Sequence, residues 1–202
     1  MGLSIHYSGY IMKEEMLDPL IEEVADICQT LSWASHTFDD KNIKWICLSP
    51  KGSEPVFLTF NAEGRTLSPV HIIVSDIYDG VRFDKDSKFT ISTKTQYAGA
   101  DAHMAIIKLL KYISSKYLKH FTLFDEGNYW ETGDEKVLLQ QFARYEAALD
   151  AFTDVLKGMH SVHGESAESL ADRLERIFKE NWVENRNKPK HSFNFYVVIG
   201  SK

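Results

Sequence analysis

The chain opens on a β-prone stretch and passes at once into helical spacing. Leu3 to Met12 is rich in aromatic and β-branched residues and predicts a first strand. Leu17, Leu20, Ile21, Val24, Cys28 and Leu31 then recur at three- and four-residue intervals, with Glu22, Glu23 and Asp26 on the other side. That is an amphipathic helix, and Asp18-Pro19 falls in its first turn, where proline is tolerated. Four strand patterns follow, Ile43 to Ser49, Val56 to Asn61, Val70 to Ile77 and Phe89 to Tyr97. The loops after the first three, Pro50-Lys51-Gly52-Ser53, Ala62-Glu63-Gly64-Arg65 and Tyr78-Asp79-Gly80, are short and carry glycine, which favours antiparallel hairpins.

Helical spacing returns after Gly99-Ala100-Asp101. Ala102, Ala105, Ile106, Leu109, Leu110, Ile113 and Tyr117 form one face, with Asp101 as the expected N-cap. Phe121 to Phe124 reads as a short strand or extended link. A third helix is predicted from Asp134 to Gly158, started by a capping box of Thr132 and Glu135. Its apolar residues, Leu138, Phe142, Tyr145, Leu149, Phe152 and Leu156, alternate four and three apart, the narrow seam of a helix pair. A fourth helix is expected near Ala167 to Trp182, and Phe193 to Ile199 is a β-prone closing strand. Tyr7-Ser8-Gly9 and Tyr97-Ala98-Gly99 share a rhythm that raises a duplicated β-α unit as one reading.

Together these elements predict an α+β fold. An antiparallel-rich sheet of five to seven strands is covered by amphipathic helices, with a C-terminal helical pair and a closing strand. The 202 residues fit a single domain, 1–202, with a subdivision into a 1–157 core and a 158–202 extension as the alternative.

Composition narrows the class. Hydrophobic residues at 44% and aromatics at 12% supply enough apolar area for a core without disulfides or metals. The net charge of −6 argues against a phosphate backbone as partner. The densest basic group, Lys108, Lys111, Lys116 and Lys119, reads as the wet side of a helix, so no nucleic acid is expected. Cys28 and Cys47 each lie in an apolar run and read as reduced core thiols. No apolar run approaches the ~20 residues of a membrane span, and the first residues lack signal-peptide character. A cytoplasmic address and no membrane partner are the expectation.

The segment with most chemical interest is Phe124 to Glu135. It holds Asp125, Glu126, Glu131, Asp134 and Glu135 around Tyr129 and Trp130. Clustered carboxylates can bind a hard cation or form an acid/base pair whose mutual repulsion raises one pKa. The same residues have structural uses, since Asp134 and Glu135 suit a helix N-terminus and Tyr129 and Trp130 can fill the core. His103 sits in the first turn of its helix, where free N–H groups favour an anion and a neutral imidazole can act as a base or ligand. His160 and His163 form His-x-x-His, two ligands where a zinc site needs three or four. His6 and His71 lie in strand patterns, where a hydrogen-bonded sheet histidine is the ordinary outcome. The chain lacks Gly-x-Ser-x-Gly, His-Glu-x-x-His, Cys-x-x-Cys and Gly-x-Gly-x-x-Gly.

At Lys94-Thr95-Gln96-Tyr97-Ala98-Gly99, in the helix that follows with His103, and at Asp125-Glu126-Gly127 with Tyr129-Trp130-Glu131-Thr132-Gly133-Asp134, the sequence resembles a bacterial family of uncharacterised proteins. The resemblance runs to residue 155. It implies a bacterial cytoplasmic origin, and it supplies no activity and no site residue.

Two functional readings follow. The first is a soluble binding or protein-interaction domain without catalytic activity or cofactor, with Tyr129 and Trp130 as binding candidates. A homo-oligomer or protein partner would meet the Leu138–Leu156 seam. The second is a small metal- or acid/base-assisted hydrolase, with His103, Asp125, Glu126 and Glu131 facing one cleft and no dedicated metal ligand assigned.

Overall fold

The computed structural model describes residues 3–40, 43–70, 72 and 89–158, together with positions 166, 169, 173 and 176. The chain divides into two compact units, Met1–Glu146 and Ala147–Lys202. The fold is α+β. Among the described residues, six strands, β1 (Ser4–Ile11), β2 (Ala34–Asp40), β3 (Ile43–Ser49), β4 (Val56–Asn61), β5 (Ile91–Lys94) and β6 (Leu118–Asp125), are accompanied by α1 (Leu17–Thr30), α2 (Gly99–Tyr117), the short α3 (Tyr129–Thr132) and α4 (Glu135–Gly158).

Every pair of these strands is antiparallel, and they form two sheets ordered β5-β1-β6 and β2-β3-β4 among the described residues. Backbone bonds stitch the sheets together. Ile11 N–H donates to Gly64 O (2.8 Å), Thr66 N–H to Gly9 O (2.9 Å) and Glu54 N–H to Lys94 O (3.0 Å). In β1 burial alternates strictly, with Ile5, Tyr7, Gly9 and Ile11 inward and Ser4, His6, Ser8 and Tyr10 outward. One core holds Ile5 and Tyr7 of β1, Ile46 and Leu48 of β3, Leu58 and Phe60 of β4, and the inner faces of α1 and α2.

The helical faces follow their spacing. α1 buries Leu20, Ile21, Val24 and Cys28, and α2 buries Ile106, Ile107, Leu109, Leu110, Ile113 and Tyr117. Outside, Glu23 of α1 accepts from Lys116 Nζ (2.8 Å), Tyr112 Oη (2.5 Å) and Tyr117 Oη of α2. Those donors, Lys116 first, hold the Glu23 carboxyl down at about 2. Lys108, Lys111, Lys116 and Lys119 are all exposed. Cys28 and Cys47 are free and buried.

Several elements differ from expectation. β2 carries no strand signal in its sequence, because it is an edge strand with one residue half-buried and the rest exposed. A strand with no buried face has no reason to alternate. Its Phe38 is exposed but stacks on Trp45 of β3 at 5.6 Å. The strand expected at Val70–Ile77 begins as helix, since Pro69, Val70 and Ile72 are helical and Ile72 N–H bonds Ser68 O. Proline's fixed φ suits a helix's first turn. The strand expected to run from Phe89 to Tyr97 is only Ile91–Lys94, because Thr95 N–H turns to Leu3 O and Ala98 N–H closes a turn on Thr95 O.

Asp101 does not cap α2. The helix starts at Gly99, and no side chain caps it. Nor does Thr132 form a capping box, because Asp134 Oδ1 takes the Lys136 N–H (2.8 Å) and Thr132 Oγ1 donates back to Asn128 O (2.5 Å). The two Tyr-x-Gly stretches are not equivalent: Gly9 is buried inside β1, and Gly99 turns the chain into α2.

In the expected fourth helix Ser169, Arg173 and Arg176 are helical, and Ser169 N–H donates to Ser166 Oγ (3.2 Å), an N-cap bond. The remainder of that helix, His71, His160, His163 and the closing strand Phe193–Ile199 lie outside the described residues.

Two glycines test the packing. Gly64 has φ +72° and a Cβ there would overlap Ile11 Cγ2, whereas Gly99 has φ +82° with no atom within 4 Å of the added Cβ. Gly64→Ala is expected to lower unfolding free energy by about 2–4 kcal/mol, from backbone strain and overpacking together. Gly99→Ala meets strain alone, about 1–2 kcal/mol. Urea denaturation of both variants measures the difference.

Candidate functional site

The Asp125–Glu135 segment begins where β6 ends. Ile5 of β1 pairs with Asp125, so the last residue of β6 faces inward, under the start of α2. The chain then turns sharply. Asn128 takes φ +56°, and its N–H donates to Asp125 O (3.0 Å). This turn wraps the backbone around the Asp125 carboxylate. Gly127 N–H donates to Oδ1 (2.7 Å), and Tyr129 and Trp130 N–H both donate to Oδ2 (2.8 and 2.9 Å). The carboxylate thereby satisfies the free N–H groups of α3, which begins at Tyr129.

His103 of α2 approaches the same carboxylate, its Nε2 lying 2.9 Å from Oδ1, and neither side chain is exposed. The separation is short, yet Nε2 has no partner in hydrogen-bond alignment. The two groups are in close contact, and the backbone N–H groups supply the directional bonds to the carboxylate. On its other side His103 Nδ1 lies 2.7 Å from Thr95 Oγ1. The Thr95 hydroxyl donates to Leu3 O (3.2 Å), which makes Nδ1 the donor to Thr95. Phe142 of α4 meets the imidazole edge-on, with ring centroids 6.0 Å apart.

Burial alone would raise the Asp125 carboxyl. His103 first, and then the Trp130 and Gly127 N–H groups, outweigh it and hold the carboxyl below its ordinary value. Gly127 has to be small here, because a Cβ would meet Leu138 Cδ1 at 2.6 Å, His103 Nε2 at 2.9 Å and Asp125 Oδ1 at 3.0 Å.

The candidates are thus brought together only in part. His103 and Asp125 meet, sealed from solvent. Glu126 is half-buried on the other face of the chain, where its Oε2 accepts the Ser4 N–H (2.8 Å). Glu131 is exposed on α3. Tyr129 is buried, and Trp130 packs on Phe121 with Lys111 Nζ 5.2 Å above its ring. Asp134 caps α4 and Glu135 opens it. Among the described residues no group of three or more His, Cys, Asp or Glu side chains could hold a metal ion.

A second histidine has more accessible surroundings. On the outer face of sheet β5-β1-β6, His6 Nδ1 lies 2.7 Å from Ser92 Oγ and its Nε2 3.7 Å from Glu126 Oε1. Ser92 is exposed, while His6 and Glu126 keep 32% and 30% of their side-chain surface. Exposed Phe124 stacks against His6 at 5.9 Å. Sequence reading passes over this group because the strand register alone sets Ser92 and Phe124 on either side of His6. The outward positions of His6 and Ser92 in two alternating strands are its one visible trace.

Comparison with protein-family models, with curated proteins and with solved structures finds no match.

The lowered carboxyl of Asp125 fixes the sign of a pH effect. In the fold it stays ionised at a pH where the unfolded chain takes up a proton. Its contribution is therefore complete above the ordinary Asp value, about 3.9, and drains away as pH falls through the lower folded value. Asp125→Ala is expected to cost about 3–5 kcal/mol at pH 7, since three N–H groups and His103 lose their partner. It also flattens the acid side of the stability curve. Urea titrations of both proteins at pH 7 and in the acid range measure the two effects.

Proposed function

We propose that the chain is a soluble, cytoplasmic protein-interaction domain of bacterial origin that associates with a second copy of itself through the C-terminal half of α4. The observation that carries this reading is the change along the helix's apolar seam. Leu138 is fully buried and Phe142 nearly so, and Tyr145 packs against the core. Further along the same four-three repeat, Leu149 and Phe152 keep 45% and 37% of their surface exposed. A narrow apolar stripe with this period suits a second helix, and an identical stripe supplies one. The acidic balance of the chain favours a protein partner over a phosphate backbone. No helix among the described residues is long and apolar enough to cross a membrane. A hydrolase built on His103 and residues 125–135 draws no support from a histidine–aspartate pair that substrate cannot touch.

Light scattering of the full chain over a concentration series tests the reading. A dimer mass is expected, and Leu149→Asp should weaken its dissociation constant at least about tenfold while circular dichroism stays unchanged. Phe142→Asp acts differently and unfolds the chain, because its ring lies against His103 in the core. A wild-type monomer at about 1 mM counts against self-association.

A further inference from the structure

His6 and Ser92 are directly opposed residues of neighbouring antiparallel strands. Two residues beyond Ser92, Lys94 turns its N–H to Glu54 Oε2 (3.0 Å) and its carbonyl to Glu54 N–H (3.0 Å), away from β1. With a strand period of two, the Ser92 backbone faces the same way. His6 and Ser92 are then a non-hydrogen-bonded pair, the kind whose side chains stand closest. The imidazole is held on three sides: Ser92 Oγ at Nδ1, the Glu126 carboxylate beyond Nε2, and the Phe124 ring against its face. Glu126 is itself held, since its other oxygen takes the Ser4 N–H. A hydroxyl in contact with a base that a third group orients is the arrangement an activated serine requires.

We propose that Ser92 is a nucleophile with His6 as its general base and Glu126 as the residue that positions His6, and that the site accepts acyl groups from small aryl esters or thioesters. With the ring hydrogen on Nε2, toward Glu126, Nδ1 accepts the Ser92 proton as Oγ forms a bond to the ester carbonyl carbon. The tetrahedral intermediate collapses by breaking the bond to the leaving group, which takes the proton from Nδ1 and departs as a phenol or thiol. Water then adds to the acyl-Ser92 carbonyl and gives a proton to His6. The bond to Oγ breaks, the carboxylic acid leaves, and Ser92 recovers its proton. The site lies on an open sheet face where water meets the charge on the carbonyl oxygen, which restricts it to esters with good leaving groups. The Phe124 ring, 62% exposed, offers an aryl leaving group a surface to rest on.

An aryl fluorophosphonate, which forms a phosphorus–oxygen bond to a reactive serine with loss of fluoride, tests this on the full chain. Peptide mapping should place the adduct on Ser92, and Ser92→Ala should abolish it. His6→Gln should slow labelling about a hundredfold. Glu126→Gln should lower kcat for p-nitrophenyl acetate about tenfold with KM unchanged, the split expected of a positioning group. Ser92→Cys provides a check that leaves His6 in place: the introduced thiol should react with iodoacetamide at least about tenfold faster than free cysteine. Three results overturn the proposal: an adduct elsewhere, Ser92 labelling that His6→Gln does not slow, or a thiol in the Ser92→Cys variant that reacts no faster than free cysteine. Ser92 and Leu149 lie on different elements, so loss of self-association in Leu149→Asp should leave Ser92 labelling unchanged.

Discussion

The carboxylate of Asp125 is the constraint on which the C-terminal side of the first unit depends. It has no exposed surface, so its charge must be met from within. Three backbone N–H groups and the His103 imidazole meet it, and they come from three parts of the chain path: the turn at Gly127, the start of α3, and α2. The consequences pass outward. Gly127 has no room for a side chain because Leu138 of α4 closes over the same spot, and Phe142, one turn on, lies edge-on to the imidazole. Thr95 carries the network to Leu3 and so to the strand at the centre of its sheet. Removing one partner leaves a buried charge unmatched, which is why such pairs cost more to break than they add when formed.

Regular burial made much of this fold legible in the sequence. α1, β3 and β4 lie where their periodicity puts them, since each has a face in the core that apolar side chains must line. Legibility fails where burial is not periodic. β2 has no core face, and its residues read as a polar loop. The helical turn at Pro69 and the αL residue at Asn128 depend on local backbone geometry that hydropathy does not register. The Asp125 site was half visible. Both His103 and Asp125 stand out as ionisable residues beside apolar runs, but burial of the pair is a tertiary fact. The His6 group was less visible still, because register between strands 86 residues apart decides it.

The seam of α4 shows what a period can and cannot say. Its four-three repeat specifies one apolar stripe along the helix. It is silent on what fills the facing surface. The first turns of the stripe, at Leu138 and Phe142, are filled from within the first unit, while Leu149 remains largely open. A substitution at the start of the stripe therefore reports on folding, and one further along tests the proposed association. The two have the same pattern in sequence and different physical meaning.

The two histidine–carboxylate pairs separate stability from reactivity on the same principle. The interaction of a carboxylate with an imidazole dipole or charge is stronger where solvent is excluded than where water screens it. At His103 and Asp125 the surroundings are dry, the pair is strongly held, and no reactant can reach it. Packing under α4 keeps that pair out of contact with solvent. At His6 and Glu126 the gap is 3.7 Å and both side chains touch solvent, so the attraction is weaker and orients the ring more than it stabilises the fold. A ring held loosely by a carboxylate, stacked by Phe124 and in contact with a serine hydroxyl, retains access to a substrate that the buried ring has lost. The proposed chemistry therefore lies on the open sheet face and draws only Phe124 and Glu126 from the acidic segment, while Asp125 of the same segment is sealed inside.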